Sequence, residues 1–178
     1  MPDGITWVDP DNRGAMFGAV EHLVKHSHHK VAFLTTDDAS QFDLVQRRHE
    51  FANAFKASQL STSAHNIVTA QGEMTGVAHR LTALEVTAVV CATGSLANEV
   101  WTALEEAGLH VPEDISLVSV DDWPTFARRE LTTVAFSFGE VGSAAADTLV
   151  AQLRGEKASD CCRIVPVRLC ECDSVRTL

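Results

Sequence analysis

No apolar run in these 178 residues approaches the roughly 20 that a membrane-spanning helix needs, so the sequence reads as a soluble chain. Positive charge is scarce as well. Lys and Arg total 14 against 24 Asp and Glu, for a formal net charge of −10, which argues against broad attraction to DNA phosphates or anionic lipid. Any nucleic-acid reader must therefore lie elsewhere. The five cysteines, Cys91, Cys161, Cys162, Cys170 and Cys172, form no C-x-x-C pair and are spaced unlike a zinc knuckle. Also missing are a Gly-x-Gly-x-x-Gly turn, a Gly-x-x-x-x-Gly-Lys-Ser/Thr phosphate loop and a Gly-x-Ser-x-Gly nucleophile elbow. The opening Met-Pro-Asp-Gly has neither the basic flank nor the apolar core of an export signal, so the expectation is a cytoplasmic protein with reduced cysteines. There is no internal repeat and no low-complexity tract; Gly155–Asp160 is the one loop-like stretch of any length.

What is present is a composition of 46% hydrophobic and 21% charged residues, ordinary for a globular domain. Its most informative stretch runs from Gly108 to Asp122. Gly108 suits the left-handed position after a helix Ser95–Ala107, Pro112 forbids the helix to continue, and Ile115–Val120 reads as a buried strand. Asp121 and Asp122 then lie beyond the strand's carboxyl end, where open α/β sheets collect ligands.

The rest alternates in the same way. Asp11 or Asn12 caps a helix Arg13–Ser27, followed by a strand Lys30–Thr36, a helix Asp43–Ser58 and a strand Asn66–Ala70. A helix Thr75–Leu84 and a β-branched strand Val86–Ala92 follow. Repeated β-α-β implies a doubly wound, mainly parallel α/β sheet. After Pro124 come a short strand or extended crossing Leu131–Phe136, a long helix Phe138–Arg154 closed by Gly155, and a final strand Arg163–Leu169.

Four segments then carry a resemblance, in the right order and over nearly the whole chain. They are Asp11–Leu34, with Asp-Asn-Arg-Gly-Ala and Glu-His-Leu-Val; Arg47–Phe55, Arg-Arg-His-Glu-Phe-Ala-Asn-Ala-Phe; Val111–Asp122, Val-Pro-Glu-Asp-Ile-Ser-Leu-Val-Ser-Val-Asp-Asp; and Leu131–Glu156. The chain resembles the effector-binding region of the LacI/GalR family of bacterial transcription regulators, which is similar to periplasmic sugar-binding proteins. The resemblance implies one complete lobe of a type I periplasmic-binding-protein-like fold plus a remnant of the other. Residues 1–12 would be a lead-in crossing, 13–135 the C-terminal subdomain, 136–162 a helical remnant of the N-terminal subdomain, and 163–178 a return strand and tail. The helix-turn-helix domain, the hinge helix and most of the N-terminal subdomain would precede the place where this chain begins. DNA binding would pass through that absent domain; homodimerisation and a small-molecule effector, a sugar or sugar derivative, are the other implied partners, with no cofactor.

Site residues follow from the same resemblance. Arg47 matches the family's ligand-contacting arginine, Asp121 the aspartate at the strand end, and Phe138 an aromatic of the second crossing. A guanidinium fork and an ionised carboxylate together grip hydroxyls, and an aromatic ring covers a sugar's apolar face. The chain departs from the pattern at Thr93-Gly94, where the family usually has Asn-Asp, at Gln71, where an aromatic often stacks on the ligand, and at Glu50 in place of a glycine. Thr93 and Gln71 complete the expected ligand-binding set.

Each feature also has a structural reading. Asp121 would cap a turn near Pro124–Arg128, and Arg47 would be a surface residue paired with a carboxylate. His22 and His26 are spaced i,i+4, but no cysteine or carboxylate completes a metal set, and an Asp121-Asp122 Mg²⁺ pair is equally without support. The apolar stripe Val141, Ala145, Leu149, Val150 and Leu153 is expected to dock in a new position or to pair with another copy. Alternatives to a regulator are a periplasmic-type sugar-binding protein, a flavodoxin-like enzyme using Asp121, and a short interaction protein derived from a regulator.

Overall fold

Apolar runs with no polar alternation form the strands of one six-stranded sheet. Val31–Thr35 (β2), Ala88–Cys91 (β4) and Ser116–Val120 (β5) are buried at every position, the pattern of parallel strands covered on both faces. With Ile67–Thr69 (β3), Thr132–Ala135 (β6) and Arg168–Cys170 (β8), the order across the sheet is β3-β2-β4-β5-β6-β8. All neighbours are parallel except β6 and β8. These observations come from a computed structural model that describes residues 5–60, 66–70, 73–121, 130–157 and 161–178.

Helices Asn12–Lys25 (α1) and Phe42–Ala57 (α2) pack together on one face, and Met74–Ala83 (α3) and Gly94–Glu106 (α4) on the other. The core between them includes Met16, Leu23, Phe33, Phe55, Leu81, Leu104 and Leu117. Asp11 caps α1 by accepting from the Gly14 N–H at 2.8 Å. Gly108 has φ +79° and its N–H reaches the Glu105 carbonyl, which closes α4 at the residue expected from sequence.

The strand order reverses between β2 and β4, since the chain moves from β2 out to β3 and returns to the far side of β2. The carboxyl ends of these two strands border the crevice where such sheets bind ligands. A second, smaller assembly faces them. Val8–Pro10 (β1) and Arg163–Val165 (β7) pair in parallel, and Phe138–Leu153 (α5) lies against both.

The sequence pattern suggested one strand over Arg163–Leu169, but two form, in different sheets. Pro166 falls between them and cannot donate to either ladder. The small assembly thus joins the large one at three short places: before Asp11, at Phe136–Ser137 and at Pro166–Val167.

α5 touches this assembly through one side only. Thr148 is its one buried residue, donating to the Cys161 carbonyl at 3.1 Å, and Gln152 donates to the Thr6 hydroxyl. Leu149, Val150 and Leu153 face outward, Leu153 with 79% exposure. Docking within the chain therefore leaves most of the expected apolar stripe bare.

No described helix is long and apolar enough to cross a membrane.

Candidate functional site

α2 carries Arg47 inward, against the crevice between the two assemblies. Its side chain is 3% exposed, and three groups fix it. Nε donates to Asn12 Oδ1 at 2.7 Å, Nη1 donates to the Ala92 carbonyl at 2.6 Å, and Nη1 lies 3.5 Å from Asp121 Oδ2. Nη2 has a different environment: it lies 4.0 Å from Asp43 Oδ2, one helical turn back. One edge of the fork is therefore immobilised while the other faces the crevice.

Asp121 ends β5 in the left-handed region at φ +67°, a conformation that aspartate tolerates better than most residues. Its Oδ1 accepts the Gly94 N–H at 2.9 Å, at the start of α4, and its own backbone carbonyl accepts from Thr133 Oγ1 at 2.7 Å. Burial raises the carboxyl pKa above the usual carboxylate value, while the Gly94 N–H and Arg47 pull it back down. The suggested cap for residues 124–128 lies outside the described residues; the observed partners of Asp121 are on α2, α4 and β6.

Two residues that the sequence did not mark complete the arrangement. Asn12, buried at 1% exposure, passes its amide to Asp9 Oδ2 and Gln46 Oε1, each at 3.2 Å, while its oxygen holds Arg47. Asp9 in β1 is pushed above the usual carboxylate pKa by burial and then by the nearby Asp43; Arg47 and Asn12 oppose this. The available signal was the run Asp9-Pro-Asp-Asn12, which offered two cap residues where one was needed. Asp11 takes the cap and Asn12 is free to face the arginine.

Asp9, Asp43, Arg47, Trp7, Phe136 and Phe138 line a cleft of 380 Å³. Phe138 is 53% exposed and stacks obliquely on Phe136, with ring centroids 4.8 Å apart. Thr93 is elsewhere. Its hydroxyl accepts the Leu96 N–H at 3.3 Å as the cap of α4, and it lines a neighbouring hollow of 290 Å³ with Thr36, Gln41 and Glu99. The structure thus places Arg47 and Phe138 on one cleft, pairs Asp121 with Arg47, sets Thr93 one residue beyond the carbonyl that Arg47 grips, and does not describe Gln71. Thr36 Oγ1, at the end of β2 in that hollow, is buried without a hydrogen-bond partner among the described residues.

The His22 and His26 rings meet at a tilt, centroids 4.5 Å apart, and the described residues hold no cluster of three metal-ligating side chains.

The family model described as periplasmic binding protein-like domain matches residues 20–175. Among curated proteins, the HTH-type transcriptional regulator MalR of Streptomyces coelicolor is 34% identical over 163 residues, covering 85% of this chain and 46% of that protein. The chain spans about half the length of the curated relatives it matches. Among solved structures, a putative transcriptional regulator LacI from Bacillus cereus subsp. cytotoxis superposes with a TM-score of 0.86 at 24% identity, over 99% of this chain and 64% of that one. A LacI family transcriptional regulator from Enterococcus faecium with bound ribose gives 0.83 at 22% identity, over 100% and 68%. At these identities the two structures establish the fold.

Proposed function

The chain belongs to the periplasmic binding protein-like domain family, on its LacI-type regulator side, and from that premise we propose that it is the effector-sensing part of a transcription regulator, binding a neutral sugar. The observation that carries this reading is the divided guanidinium of Arg47. Nε and Nη1 are fixed by Asn12 and Ala92, which leaves Nη2 oriented to donate to a ring hydroxyl. Asp9 and Asp43, on the same cleft wall, accept hydroxyl protons, and Phe136 with Phe138 offers an apolar wall to the C–H face of a sugar. That two structural neighbours are described with ribose and with cellobiose supports a saccharide.

Signalling follows from the two assemblies on either side of the cleft. A ligand held by Arg47 on one side and by β1 and Phe138 on the other favours the arrangement in which both reach it, and shifts the equilibrium by its differential affinity. A helix-turn-helix domain, the kind that the relatives' names specify, reads that shift on DNA. The outward stripe of α5 is the surface we assign to pairing with a second copy.

The test is calorimetric titration of the chain with ribose, maltose and cellobiose, beside Asp43→Asn and Arg47→Met. At about 100 times Kd a true effector stabilises by roughly 2.7 kcal/mol in a melting experiment. Binding that survives Arg47→Met in a folded variant would overturn the site; absence of binding by any neutral saccharide would overturn the sugar.

A further inference from the structure

The end of the chain is fastened at the pole of the sheet opposite the cleft. Ser174 is fully buried; its hydroxyl donates to the Leu117 carbonyl at 2.6 Å and accepts the Thr132 N–H at 2.8 Å. Beyond it, Arg176 N–H donates to Ser116 Oγ at 3.1 Å, and Leu178 N–H to the His26 carbonyl at 3.1 Å. Val175 packs against the core, Asp114 attracts Arg176, and a histidine adds a further fastening. His28 has no exposed surface, and its ring touches the Arg176 carbonyl through Nε2 and Thr87 Oγ1 through Nδ1, both at 2.9 Å.

A carbonyl can only accept, so Nε2 carries the proton, and in the neutral ring Nδ1 must accept the Thr87 hydroxyl. A second proton reverses that bond. The Thr87 hydroxyl then has to turn to the Lys30 carbonyl, 3.3 Å away, and a full charge sits where water does not reach. The charged groups acting on the ring are Arg176 from the tail, His26 from the end of α1 and the adjacent His29, all of the same sign as an imidazolium.

We propose that His28 is an acid-operated latch: when its ring takes up a proton, residues 175–178 leave the lobe while the sheet stays folded. Burial holds this imidazole below its ordinary value of 6.5, with Arg176, His26 and His29 acting the same way against the hydrogen bond to Arg176. Because the folded value is the lower one, the docked tail is fully favoured above the ordinary value and loses that advantage as pH falls toward the folded value. His22 is held below its ordinary value as well, by burial first and then by His26 and Lys25, while Glu171, 3.7 Å from its Nδ1, opposes this. Glu171 is mostly exposed, so water screens that attraction, and it anchors the tail only upstream of Ser174. The released length is the part beyond Ser174.

Amide hydrogen exchange of the whole chain at about pH 7.5 and about pH 5.5 tests the latch, with protection corrected for the intrinsic rate. Protection of the Arg176 and Leu178 amides should fall about tenfold or more at the lower pH while Val89 and Val90 in β4 are unchanged. His28→Gln, whose amide can still donate to the Arg176 carbonyl, should lose the pH dependence. Equal tail protection at both pH values, or an undiminished pH dependence in folded His28→Gln, overturns the proposal. If that variant does not fold, the wild-type ring decides by NMR: a His28 midpoint below 6.5 that coincides with tail release supports the latch, and a midpoint at or above 6.5 overturns it.

Discussion

Arg47 holds the carbonyl of Ala92 at 2.6 Å, so the last turn of chain before α4 is fixed by a side chain from the opposite face of the sheet. The contact joins α2 to the carboxyl end of β4 across the point where strand order reverses, and places a buried cation under the cleft floor.

Removing that cation leaves Asp121 buried without its counter-charge and the Ala92 carbonyl without its donor. Arg47→Met should destabilise the chain by roughly 3 kcal/mol in urea unfolding. Arg47→Lys should recover only part of this, because a single ammonium cannot reach Asn12 and Ala92 in the geometry of the fork.

Asp9 carries a raised pKa, so its ionised form is disfavoured by folding. The sign is the reverse of a salt-bridged carboxylate: its favourable contribution is complete below the ordinary value of 3.8 and disappears as pH rises through the folded value. Asp9→Asn should therefore melt no lower than the parent at neutral pH, and relatively lower in acid. In Asp43→Asn the Asp9 carboxyl, followed by NMR, should titrate closer to 3.8.

Thr36 offers a buried hydroxyl with nothing to bond. Thr36→Val replaces it with a methyl of similar shape and should stabilise the free chain by about 1 kcal/mol in thermal melting. A loss of stability instead would show that the hydroxyl has a partner in solution.

The cleft wall presents Asp9 and Asp43 against one guanidinium already engaged on two sides. A sugar phosphate should bind at least about tenfold more weakly than the corresponding neutral sugar, and Asp43→Asn should narrow that gap in parallel titrations.

Much of this was legible in the sequence. Uninterrupted apolar strands, helical spacing between them and Gly108 after α4 gave the doubly wound order, because burial on both faces leaves a strong and local pattern. Arg47, Asp121 and Phe138 entered through resemblance; Arg47 and Phe138 line one cleft, and Asp121 pairs with Arg47. Asn12 and Asp9 did not stand out, since a polar residue at a helix start is ordinarily a cap, and only the three-dimensional approach of α2 shows which of Asp11 and Asn12 is left over. The split of Arg163–Leu169 into two strands was hidden for a related reason: Pro166 signals an interruption, but not that the chain is changing sheets there.

The chain passes between its large and small assemblies three times, each time through one or two residues. Among the described residues the small assembly holds two three-residue strands and one helix, tied to the lobe through all three passages. No single cut can separate the two pieces: the boundary a ligand would sense is not a boundary along the chain.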